Sequence, residues 1–275
     1  MGRVGILTDG TAQFAEIEFP GLELVHVIPV EIRSSLLPED RNTSVNKRFV
    51  TRRQHYPSKE DFLDRLFQLS TEYEAILVIT LSKSLEPAVK NAQQAVSQYG
   101  GRADIRLIDS QTTAIGLGLL VQKAAAAAAG GATLAEIDQK MRSAIHSIYS
   151  MFCIPELHYL LKIGHIGFSQ AIIGEMLGLL PIFVLEEGNL TPLGKVRTHR
   201  HILEYFQEFI EEFTTPDHIA LLKPASMNHF RLKQLYQYID DVFPEVPFSI
   251  HVSNAHLAAL LGPQCMGLVV MENTI

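Results

Sequence analysis

Three short stretches of this chain gather hydroxyl and carboxyl side chains at the ends of apolar, strand-like runs. Thr8-Asp9-Gly10-Thr11 closes the run RVGILT. Leu81-Ser82-Lys83-Ser84 follows AILVIT, and Asp109-Ser110-Gln111 follows DIRLI. An open parallel sheet binds ligands outside the carboxyl ends of its strands, so these three turns would share one rim. Ser82 stands before a helical pattern. With Ser84 as the cap, Ser82 would point into the crevice beside free N–H groups and the positive end of a helix, a setting that favours a carboxylate or phosphate. The same residues also serve as plain turn and cap residues, and both readings stand at this point. As a nucleophile Ser82 would need a base, and no residue in the sequence is nominated for that part.

The familiar chemical motifs are missing. Gly116-Leu117-Gly118 has Val121 where a dinucleotide-binding loop needs its third glycine. Gly188 to Gly194-Lys195 has one residue too many for a phosphate loop, and Val196 follows the lysine. The 11 histidines show no metal-ligand spacing: His199 and His201 lie two apart, His251 and His256 five apart. Cys153 and Cys265 sit in apolar runs without CxxC spacing and read as small buried hydrophobes. No cofactor and no metal are expected. Two basic clusters remain. Lys47, Arg48, Arg52 and Arg53 read as a solvated loop. Lys195, Arg197 and Arg200, with His199 and His201, flank a helix start and could meet a protein or a phosphate.

The elements that must position these residues alternate. Strands are expected at 3–8, 22–30, 75–80 and 104–108, and helices at 57–70, 85–98, 112–129 and 133–147. Ser58 with Asp61, and Thr133 with Glu136, read as capping boxes. The six alanines 124–129 favour helix and suit close packing against a sheet. Such alternation predicts a parallel sheet covered on both faces. From about 148 the connections become more varied. Strands are expected at 148–154, 182–185, 218–222, 248–252 and 267–271, with helices near 157–162, 170–178, 199–213 and 228–241. The division expected is an N-terminal parallel α/β domain over 1–147 and a C-terminal α/β domain over 148–275.

With 275 residues, 47% of them hydrophobic, the chain has the means to bury a large core. Its net charge of −7 argues against nucleic acid as a partner. Met1 to Thr8 runs directly into a strand pattern without a secretory signal, and no apolar stretch is long enough to span a bilayer. A cytoplasmic location without stable membrane insertion is therefore expected.

Read together, these stretches resemble the DegV family of bacterial fatty-acid-binding proteins. ILTDGTAQF resembles the family's opening TDSTADL, and PSKEDF its PSPEEF. LSKSLEPAVKNA resembles SSKLSGTYQSA, and IDSQTTAIGLGLLV resembles IDS…MGLGLLV. LHYLLKIGHIG and LLPIFVLEEGNLTPLGKVRT resemble two further segments, and all occur in family order over nearly the whole chain. The resemblance implies an α/β fold of two domains: an N-terminal three-layer parallel sheet and a C-terminal α/β domain, with a lipid tunnel between them. It also implies that a long-chain fatty acid such as palmitate or stearate is the ligand. The family's carboxylate-binding serine aligns with Ser82. Its threonine aligns with Gln54, whose neighbour is His55. Thr8, Gly10, Ser110 and His165 would lie near the headgroup, and Ile115, Leu119, Ile166, Ile172, Met176 and Leu177 would line the acyl chain.

The departures from the family pattern fall on the headgroup. Gly10 replaces a serine, and Glu86, Pro87 and Ala88 replace a Ser-Gly-Thr. His165 replaces an arginine, and Leu260 a histidine. The last two losses argue against a partnership with a fatty acid kinase subunit, because an acyl-phosphate headgroup suits arginine. The expected function is that of a lipid carrier and not an enzyme. The alternatives are an enzyme acting on an acyl substrate through Ser82 or His55, and a binder of another amphiphile.

Overall fold

The computed structural model describes residues 3–36, 50–86, 89–162, 164, 166–227 and 232–273. The first half runs β1 (Val4–Asp9), β2 (Val25–Ile28), β3 (Glu31–Leu36), β4 (Val50–His55), α1 (Lys59–Leu69), β5 (Ala75–Thr80), α2 (Val89–Gln98), β6 (Asp104–Asp109), α3 (Ala114–Ala129) and α4 (Leu134–Ile145). Strands β2, β1, β5 and β6 form a parallel sheet in that order. Its strands are apolar on both faces because both faces are covered. Leu7, Ile76 and Val78 pack towards α1 and α2 with Phe62, Leu66 and Ala92. Ile6, Leu77, Ile79 and Ile108 pack on the opposite side with residues of α3 and α4. The result is three layers. Ser58 and Thr133 each close a capping box, with Asp61 and Glu136, as their spacing predicts.

The second half runs β7 (Ile148–Cys153), α5 (Leu157–Lys162), α6 (Phe168–Met176), β8 (Leu180–Glu186), β9 (Asn189–Val196), α7 (His199–Glu211), β10 (Pro216–Lys223), α8 (Lys233–Val242), β11 (Phe248–Val252), α9 (Ala255–Leu261) and β12 (Met266–Glu272). Its six strands pair in the order β11-β10-β12-β7-β8-β9. All pairs are antiparallel except β10 with β11. One face carries its own core, with Ile202, Phe206 and Ile210 of α7 and Leu235 and Ile239 of α8. On the other face Phe152, Phe183, Leu185, Ala220, Leu222 and Val269 belong to the same buried cluster as α3. Helix α3 therefore lies between the two sheets. This explains why its sequence is apolar nearly all round, with eight consecutive residues from Ala114 to Val121 buried.

Several expectations need correction. Arg52 and Arg53 lie in β4, paired antiparallel with β3, and not in a loop. Lys47 and Arg48 lie outside the described residues. The strand expected over 22–30 is confined to Val25–Ile28, behind a 3₁₀ turn at Leu22–Leu24. Four elements were not foreseen, β3 and β4 among them. Strand β9 contains Pro192 and Gly194, residues that weaken a strand pattern, and α9 is only 7 residues long. Cys153 and Cys265 are buried free thiols, and burial pushes the Cys153 thiol up to about 12.

Candidate functional site

The three hydroxyl-bearing turns do meet on the rim of the parallel sheet, joined through their own backbones. The Ser82 N–H donates to the Thr112 carbonyl at 2.9 Å, and the Ser110 N–H to the Thr80 carbonyl at 3.0 Å. Asp9 ties the first turn to the second. One carboxylate oxygen accepts from the Thr11 N–H and hydroxyl, and the other accepts the Leu81 N–H at 2.9 Å. Asp9 is buried. Desolvation raises its pKa, against the lowering effect of its bonds to Thr11 and Leu81 and of the nearby His256 ring. After β6 the chain turns so tightly that Gln111 and Ala114 hold φ of 55° and 48°, in a region non-glycine residues seldom occupy. That turn carries Thr112 to Ser82.

Ser82 is fully buried. Its hydroxyl accepts the Ser84 N–H at 3.2 Å and donates to the Gly188 carbonyl at 2.8 Å. Gly188 belongs to the second half, in the two-residue turn between β8 and β9. There Glu187 and Gly188 both have positive φ, 48° and 82°, the pattern of a tight hairpin turn. A Cβ at position 188 would lie 2.4 Å from the Ser82 Oγ, so only glycine permits this approach. Ser84 does not act as the helix cap: α2 begins five residues later, at Val89.

Further polar contacts join the halves at the same rim. The Gln13 amide donates to the Val252 carbonyl at 2.8 Å, and Asn254 Nδ2 donates to the Thr11 carbonyl at 3.2 Å. Gln54 has both ends of its amide engaged: it donates to the His256 carbonyl and accepts from the Tyr56 hydroxyl. The Tyr56 hydroxyl is held well above its ordinary pKa by burial and then by the Asp9 and Glu86 carboxylates. The His256 ring comes close to Gly10: a Cβ there would lie 3.6 Å from His256 Nε2. Burial lowers the pKa of His256, and Asp9 works against that shift. Three atoms near this rim, Thr8 Oγ1, Thr80 Oγ1 and His256 Nδ1, are buried with no hydrogen-bond partner among the described residues.

The residues singled out from sequence fall into separate groups. Thr8, Gly10, Ser82 and Ser110 gather on the rim. Gln54 lies close by, on the seam with α9. His55 is exposed and lines an open groove of about 530 Å³ against α1, together with Arg33, Asp61 and Arg65. Ile115 and Leu119 are buried in the core between the sheets, and Ile166 packs against it. Met176 and Leu177 are 81% and 54% exposed at the end of α6. His165 and the side chain of Ile172 lie outside the described residues. Leu260 is buried in the core between the sheets. Gly188, His256 and Tyr56 were missed by sequence reasoning. The glycine of the family-like EEGNLTPLGKVRT segment was the one available signal. Among the described residues no group of three or more His, Cys, Asp or Glu is arranged to hold a metal, and no helix is long and apolar enough to cross a membrane.

A three-layer parallel sheet joined through one buried helix to a six-stranded mixed sheet, with a hydroxyl-rich rim at the seam, defines an α/β protein built on two main sheets and the small β3–β4 ribbon. The chain belongs to the DegV family, whose model, described as an uncharacterised protein family, matches residues 3–273. A DegV domain-containing protein of Staphylococcus aureus (strain COL) is 24% identical over 276 residues, covering 97% of this chain and 98% of that one. Among solved structures, the fatty acid binding DegV family protein of Streptococcus agalactiae superposes with a TM-score of 0.83 at 22% identity, over 100% of both chains. The fatty acid kinase B3 protein of Streptococcus pneumoniae, loaded with linoleic acid, superposes with a TM-score of 0.81 at 17% identity, over 98% of this chain and 100% of that one.

Proposed function

We propose that this chain is a fatty-acid carrier: two domains, 1–147 and 148–275, hold one long-chain fatty acid between them with its carboxylate at Ser82. The observation that carries this reading is a buried hydroxyl at the carboxyl end of β5, on the seam between two halves that share one apolar core. Fatty acids bound by relatives of the same fold support it. Thr8, whose hydroxyl has no hydrogen-bond partner among the described residues, lies on the same rim, with Gly10 and Ser110. Gln54 would join the carboxylate by exchanging its bond to His256, whereas His55 faces the groove by α1 and takes a lesser part. The acyl chain would run along Ile115, Leu119 and Ile166. Burial of methylenes contributes about 0.8 kcal/mol each, so a chain of about sixteen carbons has a gross drive of about 12 kcal/mol before the costs of association.

The chain acts in this reading as a carrier rather than an enzyme, in the cytoplasm. Among the described residues, Ser82 has a carbonyl and an amide as the partners of its hydroxyl. Mass spectrometry of the organic extract of purified protein should show an unmodified fatty acid, and the delipidated protein should rebind it. Failure to rebind any fatty acid in a competition assay removes the proposal. Turnover of an acyl ester that is lost on Ser82→Ala would establish the enzymatic alternative.

A further inference from the structure

The Ser82 hydroxyl carries a single proton, and in this structure the proton is already given to Gly188. A carboxylate offers only acceptors. It therefore cannot take that proton while the Gly188 carbonyl keeps it, and the two acceptors would face each other across one donor. A fatty alcohol meets no such conflict: its oxygen accepts from a donor and its own O–H donates to a carbonyl. From this geometry we infer, on the fatty-acid reading above, that the Glu187–Gly188 turn is a headgroup-sensitive latch. Binding of a carboxylate expels the turn from Ser82, and binding of a neutral hydroxyl headgroup leaves it in place.

The turn is built for such a role. Gly188 is buried against Ser82 and the backbone of Gln111, while Glu186, Glu187 and Asn189 on either side are exposed. A shift of the turn therefore brings the Gly188 carbonyl into water, where its lost bond is replaced. Glu187 sits at φ 48°, a strained position for a residue with a side chain, so release of the turn also relieves local strain. Two negative side chains, Glu186 beside the turn and Glu187 within it, are carried here. They would repel an incoming carboxylate that stopped beside a closed turn, and reinforce the acceptor-acceptor conflict.

The test is amide hydrogen exchange across residues 186–190 in full-length delipidated protein, alone and loaded with palmitate or with hexadecanol, for wild type and Ser82→Ala. Unliganded Ser82→Ala should exchange about tenfold faster in the turn than unliganded wild type, because the latch bond is gone. Palmitate should bring the wild-type turn to a similarly fast rate, and hexadecanol should leave it slow. Palmitate that binds without speeding exchange overturns the latch and leaves the carrier function standing. Equal acceleration by both lipids assigns opening to the acyl chain and overturns the headgroup role. Unchanged exchange in unliganded Ser82→Ala overturns the latch without reference to any ligand. If wild type binds neither lipid, the carrier reading itself falls and takes the latch with it.

Discussion

The carboxylate of Asp9, at the end of the first strand, accepts the backbone N–H of Leu81, 72 residues later, at 2.9 Å. Leu81 immediately precedes Ser82, so Asp9 fixes the turn from which the Ser82 hydroxyl projects. Asp9 also holds its own turn through Thr11. Burial opposes the charge of this carboxylate, yet three donors converge on it, and hydrogen bonds to a charged group contribute about 1.5–3 kcal/mol each. Asp9→Ala should lower stability by about 2–4 kcal/mol, read as a fall in the denaturant midpoint. A change below about 0.5 kcal/mol would show that the donors find other partners.

Ser82→Ala should weaken fatty-acid binding by about ten- to a hundredfold, the loss of one charge-assisted hydrogen bond. The fatty alcohol of equal length should lose less. Competition with a fluorescent fatty acid measures both, and equal losses for acid and alcohol would deny Ser82 a part in carboxylate recognition.

Gln54→Ala removes the side chain that joins β4 to the His256 carbonyl and leaves the partly buried Tyr56 hydroxyl without its acceptor. An unsatisfied buried polar group costs about 1–3 kcal/mol, and a loss of stability of that size is expected. His55→Ala, at an exposed neighbour, should fall within about 0.5 kcal/mol of wild type. Thermal unfolding of both variants checks the pair. The reverse order of effects would mean that the seam is held by the outer face of the hairpin.

What could be read from the residues alone was local. The capping boxes at Ser58 and Thr133, the alanine-rich α3 and the three rim turns all follow from spacings of a few residues, which the sequence displays directly. Helix α3 was legible as close-packed because its small residues surround the axis. The unread parts depend on pairs far apart. Strands β3 and β4 earn their pairing from each other and carry charged residues such as Glu31 and Arg33, so neither shows the alternation of a half-buried strand. The Ser82–Gly188 bond spans 106 residues and the Gln54–His256 bond spans 202. No periodicity encodes such contacts, because they arise only when the two sheets close on α3.

Stability should fall in acid through His218. This ring is 7% exposed on β10, and one nitrogen lies 2.9 Å from the Ser249 hydroxyl on the adjoining strand. Burial is the main force lowering its pKa from the ordinary 6.5 to about 4; the neighbouring His251 adds to it and Asp217 opposes it. Below pH 6.5 the unfolded chain takes up a proton that the folded chain refuses until about pH 4. The unfolded state then binds more protons, so stability declines as pH falls through this window and levels off below it. The shift corresponds to about 3 kcal/mol at the acid end. His251 and His256, also lowered, act in the same direction, and Asp9, raised, acts in the opposite one. His218→Gln keeps a side chain able to pair with Ser249 but does not titrate. Denaturant unfolding at intervals from pH 7 to pH 4 should show a shallower decline for His218→Gln than for wild type, with the two curves separating below about pH 6. Parallel curves would mean that His218 takes its proton in the folded state as readily as in the unfolded one, and that the β10–β11 edge opens to water before the fold is lost.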